Sequence, residues 1–292
     1  VTLPSSWNGQ RIMLNFGAVD WSADVYVNDI FVGSHTGGYA PFSIDITAAL
    51  KKGEQKIVVR VWDPTDTVHN PVGKQRIEPS GIWYTAVSGI WQTVWMEPVA
   101  KANHIEGITT SCDITRGEIY LNAVCANNNG TLKIEVKDGE KRVYSTTAVC
   151  GAKVTLPITD AKLWTPETPN LYDITISLVQ NGKVIDSVKS YAAMREFSKV
   201  RDDNGHLRMT LNGEPIFMYG PLDQGWWPDG LYTAPTDEAL LSDIILTKEL
   251  GFNTIRKHIK VEPARWYYHC DRQGIIVWQD MPCLALYPND TK

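Results

Sequence analysis

Hydrophobic and polar residues alternate with a period of two over most of the first two hundred positions. Residues 11–16, 24–28 and 56–62 each read as half-buried strands, and a further strand falls at 88–96. Asn28-Asp29 supplies a turn before the apolar run 30–32. No helical period intervenes, and Gly, Pro and Asn fill the gaps. Residues 1–99 are therefore expected to form an all-β sandwich of the jelly-roll kind. Residues 65–82, polar and rich in Gly and Pro, predict one sizeable loop within it. A second β region follows, from about residue 104 to 197. The segments 118–124, 131–136, 172–178 and 184–188 alternate, and Asp138-Gly139 and Asn181-Gly182 are strong hairpin turns. This pattern over residues 100–200 predicts an immunoglobulin-like β sandwich, without the Cys…Trp…Cys spacing of an antibody domain.

After Asp203-Asn204-Gly205 the pattern changes. Residues 215–220 are a short apolar run, which predicts a buried strand. Residues 236–251 read as a helix: Thr236 caps it, Asp237 and Glu238 fill its first turn, and Gly251 ends it. Residues 253–256 read as a strand, 263–274 as a helix opened by Pro263, and 275–280 as a third strand. The order βαβαβ predicts a parallel sheet. Residues 201–292 are read as the first three βα units of an eight-stranded (β/α)8 TIM barrel, which would be less than half complete. The run 275–278 would then lie at an open edge, so the isolated chain is expected to be aggregation-prone.

Composition narrows the function. The 292 residues are 43% hydrophobic and 21% charged, which excludes a disordered or fibrous chain. Lys and Arg number 28 against 33 Asp and Glu, a net charge of −5 that argues against nucleic acid or an anionic membrane as partner. No apolar run approaches the roughly 20 residues of a membrane helix. The 11 Trp and 12 Tyr suit either thick β cores or surfaces on which sugar rings stack. Cys112, Cys125, Cys150, Cys270 and Cys283 include no C-x-x-C pair, so they read as buried thiols and not zinc ligands. A disulfide among the first three stays open, because spacing does not decide it. Phosphate-loop, dinucleotide, zinc-protease and serine-hydrolase motifs are absent, and no metal or cofactor is expected. Asp202-Asp-Asn-Gly205 lacks the rest of a calcium loop. Asn129-Gly-Thr131 and Asn289-Asp-Thr291 match the glycosylation acceptor pattern. The chain opens at Val1 without an initiator Met or a signal peptide, and it closes at 289–292 in what reads as a loop. Both ends read as cut. The compartment stays unknown, with the periplasm or exterior slightly favoured over the cytoplasm.

Functional groups of a parallel barrel gather at the C-terminal ends of its strands. The first strand is followed by Asp223, Trp226, Trp227 and Asp229, the second ends at Arg256 and His258, and the third ends at Trp278, Gln279 and Asp280. Charged and amide groups grip hydroxyls and indoles stack on ring faces, so this rim suits a polyhydroxylated ligand. Each residue also has a plainer reading. Asp280 pairs with Arg256 to satisfy a charge, His258 is an ordinary loop histidine, and Trp226 and Trp227 cover the β sandwich. Arg265, Asp271 and Arg272 read as the solvated face of the second helix.

Several motifs together resemble one family. The run from Trp21 through Asp24-Val-Tyr-Val-Asn28 and Gly37-Gly-Tyr39 to Phe42, followed by Asp45-Ile-Thr47, is similar to the sugar-binding jelly roll of glycoside hydrolase family 2. Gly73-Lys-Gln75 and Ser88-Gly-Ile-Trp-Gln-Thr-Val-Trp95 are similar to it as well. Leu163-Trp-Thr-Pro166 through Tyr172 resembles the family's immunoglobulin-like segment. Asn212-Gly-Glu-Pro-Ile-Phe217, Leu250-Gly-Phe-Asn-Thr-Ile-Arg256, Trp266-Tyr267, Cys270-Asp271 and 274–280 resemble the opening of its barrel. The resemblance covers nearly the whole chain in the family's domain order.

The resemblance implies a retaining β-glycosidase with two carboxyls about 5–5.5 Å apart, one acid/base and one nucleophile. In the family both are glutamates, placed after the fourth and seventh barrel strands, and the acid/base follows an Asn. This chain has no Asn-Glu dipeptide, so no catalytic residue is carried over and both glutamates are expected beyond Lys292. Glu214, Glu238, Glu249 and Glu262 fall at a strand entrance, in two helices and at a helix start. For substrate binding, Arg256 matches the family's arginine at the end of the second strand and Asp280 an acidic position at the end of the third, beside Asp223, Trp226, Trp227, His258 and Trp278. His258 departs from the family's usual histidine by one position, and Asp223-Gln224 replaces an Asn-Arg-His type run. Residues 277–280 look like the mannosidase-like branch, whereas Met281-Pro282 does not. Galactoside, glucuronide, mannoside and arabinoside therefore all remain open. The reading is a fragment of a hydrolase, inactive alone, with a carbohydrate as partner and homo-oligomerisation of the longer parent left open. The alternatives are a non-catalytic carbohydrate-binding β-sandwich protein, or a piece that completes another chain.

Overall fold

The computed structural model describes residues 1–284. The chain forms two compact units. The first comprises residues 1–98, 220–269 and those from Val277 onward, and the second residues 99–219 and 270–276. Among the described residues no helix is long and apolar enough to cross a membrane.

The first unit opens as a β sandwich. One antiparallel sheet orders Val94–Val99, Arg11–Phe16 and Phe42–Asp45, and another orders Ile30–Thr36, Ser22–Val27 and Ile57–Trp62. Alternation sets the core. Ala23, Val25 and Val27 are buried while their neighbours reach the surface, and Ile12, Leu14, Phe16 and Ile46 close the layer from the other sheet. Each such aliphatic side chain contributes roughly 1.5–3 kcal/mol on burial. The turn at Asn28-Asp29 is a two-residue hairpin with φ of 51° and 66°, the left-handed conformation that Asn and Asp tolerate. The strand expected at 88–96 is split into Gly89–Ile90 and Val94–Val99. The cause is Trp91, whose buried indole donates to the Gly38 carbonyl at 2.7 Å and pulls the chain off the ladder.

Most of a small α/β layer belongs to the same unit, with residues 270–276 counted in the second. Its sheet runs in the order Leu222–Asp223, Thr254–Lys257, Ile276–Gln279, with the first two strands parallel. Helix α1, Asp237–Glu249, joins the first to the second, and helix α2, Ala264–Gln273, joins the second to the third. Thr236 caps α1 by accepting from Ala239 N at 3.1 Å, and Gly251 follows its end with φ of 84°. Asp237 ties the two helices, accepting from Arg265 Nε at 2.6 Å and meeting His269 Nε2 at 3.0 Å. Arg265 and His269 hold the Asp237 carboxyl well below the usual range. Ile276–Gln279 lies at the edge of the sheet as expected.

The second unit is a seven-stranded sandwich. Three strands, Ile105–Asp113, Glu118–Cys125 and Lys153–Pro157, face four in the order Lys141–Val149, Thr131–Asp138, Tyr172–Gln180, Lys183–Ala192. The hairpins at Asp138-Gly139 and Asn181-Gly182 form where expected. Asn181 and Gly182 adopt φ of 52° and 76°. Leu121, Leu132, Ile134, Ile174 and Ile176 are buried between the sheets. A further antiparallel set, Phe197–Arg201, Leu207–Leu211 and Glu214–Pro215, follows. Its turn is closed by Asp202, which accepts from the backbone of Asn204 and His206 at 3.0 and 2.9 Å.

Two expectations are corrected in this unit. Residues 215–220 are not a strand buried on both faces: beyond Pro215 no ladder forms. The run is one-sided. Ile216 and Met218 pack on the buried Trp164 and Leu211, while Phe217 and Tyr219 point outward and are exposed. Asp271 is not solvated either. Its carboxylate pairs with Arg195 at 2.7 Å and accepts from Tyr191 at 2.9 Å, and its carbonyl takes the Trp164 indole N–H at 2.8 Å. The second glycosylation pattern, 289–291, lies outside the described residues.

Candidate functional site

The site is built on the α/β layer of the first unit, and the register of its sheet separates the candidate residues. Leu222 pairs with Arg256, and Asp223 with Lys257. Adjacent strand residues point to opposite faces, so Arg256 and Asp223 diverge. On one face Arg256 and Trp278 are about half exposed, at 52% for the Arg side chain and 49% for the Trp. Arg256 donates from both Nε and Nη2 to Oδ2 of Asp280, each at 2.8 Å. Asp280 is positioned by its own backbone N–H, which donates to the Lys257 carbonyl at 3.0 Å. Gln279 next to it is fixed by Tyr267, whose hydroxyl donates to it at 2.5 Å.

The other face is closed by a charge cluster. Lys257 and Lys260 are each 1% exposed. Lys257 Nζ lies 2.5 Å from Asp223 and 2.8 Å from Glu262, and 4.3 Å from the centroid of Trp266. Lys260 Nζ reaches Glu262 at 3.1 Å and donates to the carbonyls of Gly225 at 2.6 Å and Tyr232 at 2.8 Å. Two buried lysines thus face two acids, which keeps the cluster formally neutral. Burial pulls Lys260 down to about 8, with Glu262 opposing the shift. Gly225, with φ of 65°, has no room for a Cβ beside Lys260 and Glu262, so the loop after Asp223 closes over the cluster. Asp223 also accepts from Gly225 N at 2.7 Å.

The aromatic candidates lie in that loop. Trp226 packs at 4.8 Å between centroids on both Tyr84 and Tyr232, in a cluster with Trp91 and Ala18. Tyr84 donates to Gln224, and Tyr232 meets Tyr39 at 2.9 Å between hydroxyls. Trp226 therefore covers the sandwich, the plainer of its two readings. Trp227 pins the loop through paired backbone bonds with Leu231 at 2.8 and 3.0 Å. His258 N donates to the Asp223 carbonyl at 2.8 Å, and burial, with Lys74 nearby, depresses its ring pKa. Trp226 Nε1, Trp227 Nε1 and His258 Nδ1 are buried with no hydrogen-bond partner among the described residues.

Arg256, Trp278 and Asp280 thus share one accessible face, whereas Asp223, Trp226 and Trp227 are engaged in packing. The cluster of Lys257, Lys260 and Glu262 escaped the sequence reading. Lys257 shares its side of the strand with the buried Ile255, two residues back, and only the structure identifies that side as covered. Asp223 and Asp280 do not face one another as a glycosidase acid pair requires: Arg256 holds Asp280, and Asp223 meets Glu262 across the Lys257 ammonium that pairs with both.

A second buried acid sits in the sandwich. Asp20 accepts from Gln75 Nε2 at 2.9 Å and is 3% exposed. Burial pushes its pKa from 3.8 up to about 7, the Gln75 hydrogen bond opposing and Asp63 adding to the rise. A raised carboxyl pKa gives stability that is complete below the unfolded value and is lost as pH rises through about 7. Asp20→Asn keeps an acceptor for Gln75 and removes the charge. It is expected to raise the unfolding free energy by about 2 kcal/mol at pH 8, with the gain fading toward pH 4. Urea titrations at the two pH values check this, and an equal gain at both would contradict it.

Comparison with known proteins gives the family. A family model described as glycosyl hydrolases family 2, sugar binding domain, matches residues 1–97. The model described as glycosyl hydrolases family 2 matches residues 103–195. A Formosa agariphila protein provisionally named a beta-glucuronidase is 30% identical over 97% of this chain and 34% of its own length. A beta-galactosidase of Thermoanaerobacter pseudethanolicus is 28% identical over 94% of this chain and 38% of its own. The crystal structure of Ruminococcus gnavus beta-glucuronidase superposes with a TM-score of 0.81 at 21% identity, over 97% of this chain and 48% of that one. The chain spans between a third and two fifths of the length of these two curated relatives. Two models of one family, matching residues 1–97 and 103–195, show that this chain belongs to glycosyl hydrolases family 2.

Proposed function

We propose that the chain is a part of a longer retaining β-glycosidase: an incomplete jelly roll over 1–99, an immunoglobulin-like sandwich over 100–200, and the opening of a (β/α)8 barrel over 201–292. The observation that carries this reading is the accessible sheet face with Arg256, Asp280 and Trp278. A barrel interior is lined by the side chains of one strand face. A guanidinium and a carboxylate there grip hydroxyls, and an indole stacks on a pyranose. The unpartnered His258 Nδ1 and the two indole N–H groups are further polar atoms at the same strand ends. Family membership and the short share of the relatives' length support a longer hydrolase whose two catalytic glutamates come from later strands. Both a beta-galactosidase and a protein provisionally named a beta-glucuronidase stand among the relatives, so a β-galactoside and a β-glucuronide are the substrates favoured, with β-mannoside and β-arabinoside behind them.

In this reading Arg256 touches substrate and orients Asp280. In the longer hydrolase Arg256→Ala is expected to lower kcat/KM on the order of 100-fold. The half-exposed ion pair itself is worth no more than about 1 kcal/mol of stability. Steady-state kinetics beside a denaturant titration separate the two roles. A variant that loses only stability, with kcat/KM unchanged, would make Arg256–Asp280 a plain surface bridge.

A further inference from the structure

We propose that Cys125 and Cys150 are a disulfide-forming site in the second unit, closed by exchange with a low-molecular-mass disulfide. Cys125 ends the strand Glu118–Cys125 of the three-stranded sheet. Cys150 follows Lys141–Val149, at the corner where the chain leaves the four-stranded sheet for Lys153–Pro157. The corner is fixed by backbone bonds. Gly151 N donates to the Ala123 carbonyl at 3.0 Å and Ala152 N to Val149 at 3.3 Å, with Gly151 in the left-handed region at φ of 79°. These restraints set the two Sγ atoms 2.6 Å apart, closer than two unbonded sulfurs rest. Both residues belong to the core between the sheets, so neither can turn away without opening a cavity. Cys112 and Cys283 are placed differently: each thiol faces a backbone carbonyl, of Arg195 and Gly73, at 3.2 Å.

The chemistry balances as two exchanges. One cysteine thiolate attacks a sulfur of the external disulfide and expels one thiolate. The second cysteine thiolate then attacks the mixed disulfide, forms the Cys125–Cys150 bond and expels the second. Two protein thiols are oxidised, and one external disulfide is reduced to two thiols, which take up the two protons. Burial, with Cys150 alongside, pushes the Cys125 thiol up to about 12, so thiolate is scarce in the folded sandwich. Exchange therefore proceeds as the unit folds or opens, and the closed bond resists reduction afterwards. The bond encloses the hairpin of Thr131–Asp138 and Lys141–Val149, and it holds the crossing between the sheets. Such a cross-link persists in an oxidising compartment.

The 292-residue chain, unfolded and refolded with glutathione disulfide, is alkylated in denaturant and mapped by mass spectrometry. The expected map holds Cys125 and Cys150 in one cross-linked, unalkylated peptide pair, with Cys112, Cys270 and Cys283 alkylated. The oxidised chain is expected to melt roughly 10 °C above the reduced one in the transition of this unit. In Cys125→Ser/Cys150→Ser that difference disappears. Five alkylated cysteines after glutathione disulfide treatment, or a cross-link joining a different pair, would overturn the proposal. The map of the unsubstituted chain decides this even where the double variant fails to fold.

Discussion

Lys257→Met is expected to destabilise the first unit by about 3–5 kcal/mol, out of the roughly 5–15 kcal/mol typical of a folded domain. Methionine fills the volume of the stem and keeps contact with Trp266, so the loss reports the charge. With the ammonium gone, Glu262 keeps only Lys260 among the described residues, and Asp223 loses the one described cation that an ion pair ties to it. Glu262 is buried and cannot turn to water. Removing one partner of a buried pair costs far more than the pair is worth, because the remaining charge stays desolvated. Lys257→Met/Glu262→Gln, which removes a charge of each sign, is expected to recover a large part of the loss. Chemical denaturation of the three chains measures this. A loss under 1 kcal/mol for the single variant would mean that water reaches the cluster and that the buried arrangement is wrong.

The cluster also bears on chemistry. It assigns Asp223 to the scaffold, since its carboxylate is spent on Lys257 and Gly225 N. Asp280 lies on the opposite side of the strand register, held by Arg256. An acid pair built from these two residues would need both carboxyls on one face, and the register forbids it. In the proposed reading the rim in this chain binds substrate and the reacting carboxyls come from later strands.

Much of this was legible in the residues, and the reasons are local. Asn28-Asp29, Gly139 and Asn181-Gly182 turn because their backbones tolerate positive φ, and each hairpin forms there. Thr236 and Gly251 bound α1 for equally local reasons. The pairing of Arg256 with Asp280 followed from two strand ends in adjacent ladders. What escaped depends on distant partners. Trp226 reads as a sugar platform until Tyr84 and Tyr232 are brought against it. Lys257, Lys260 and Glu262 carry no local signal, because charge alone does not say which side of a strand is covered. The approach of Cys125 to Cys150 comes from the crossing of two sheets, which their spacing does not encode. The run 215–220 misled because apolar residues in sequence suggest two covered faces, whereas Phe217 and Tyr219 are exposed.

Hydrolysis of a panel of nitrophenyl β-glycosides, by the 292-residue chain beside the longer hydrolase proposed to contain it, tests the central claim most directly. A retaining glycosidase stripped of both carboxyls loses its covalent route altogether. The expected result is no turnover above background by the 292-residue chain on any sugar, and clear turnover by the longer chain on one of them, which names the substrate. Turnover by the 292-residue chain itself, abolished by substituting Asp280, would contradict the account and place the reacting acids among the residues described here.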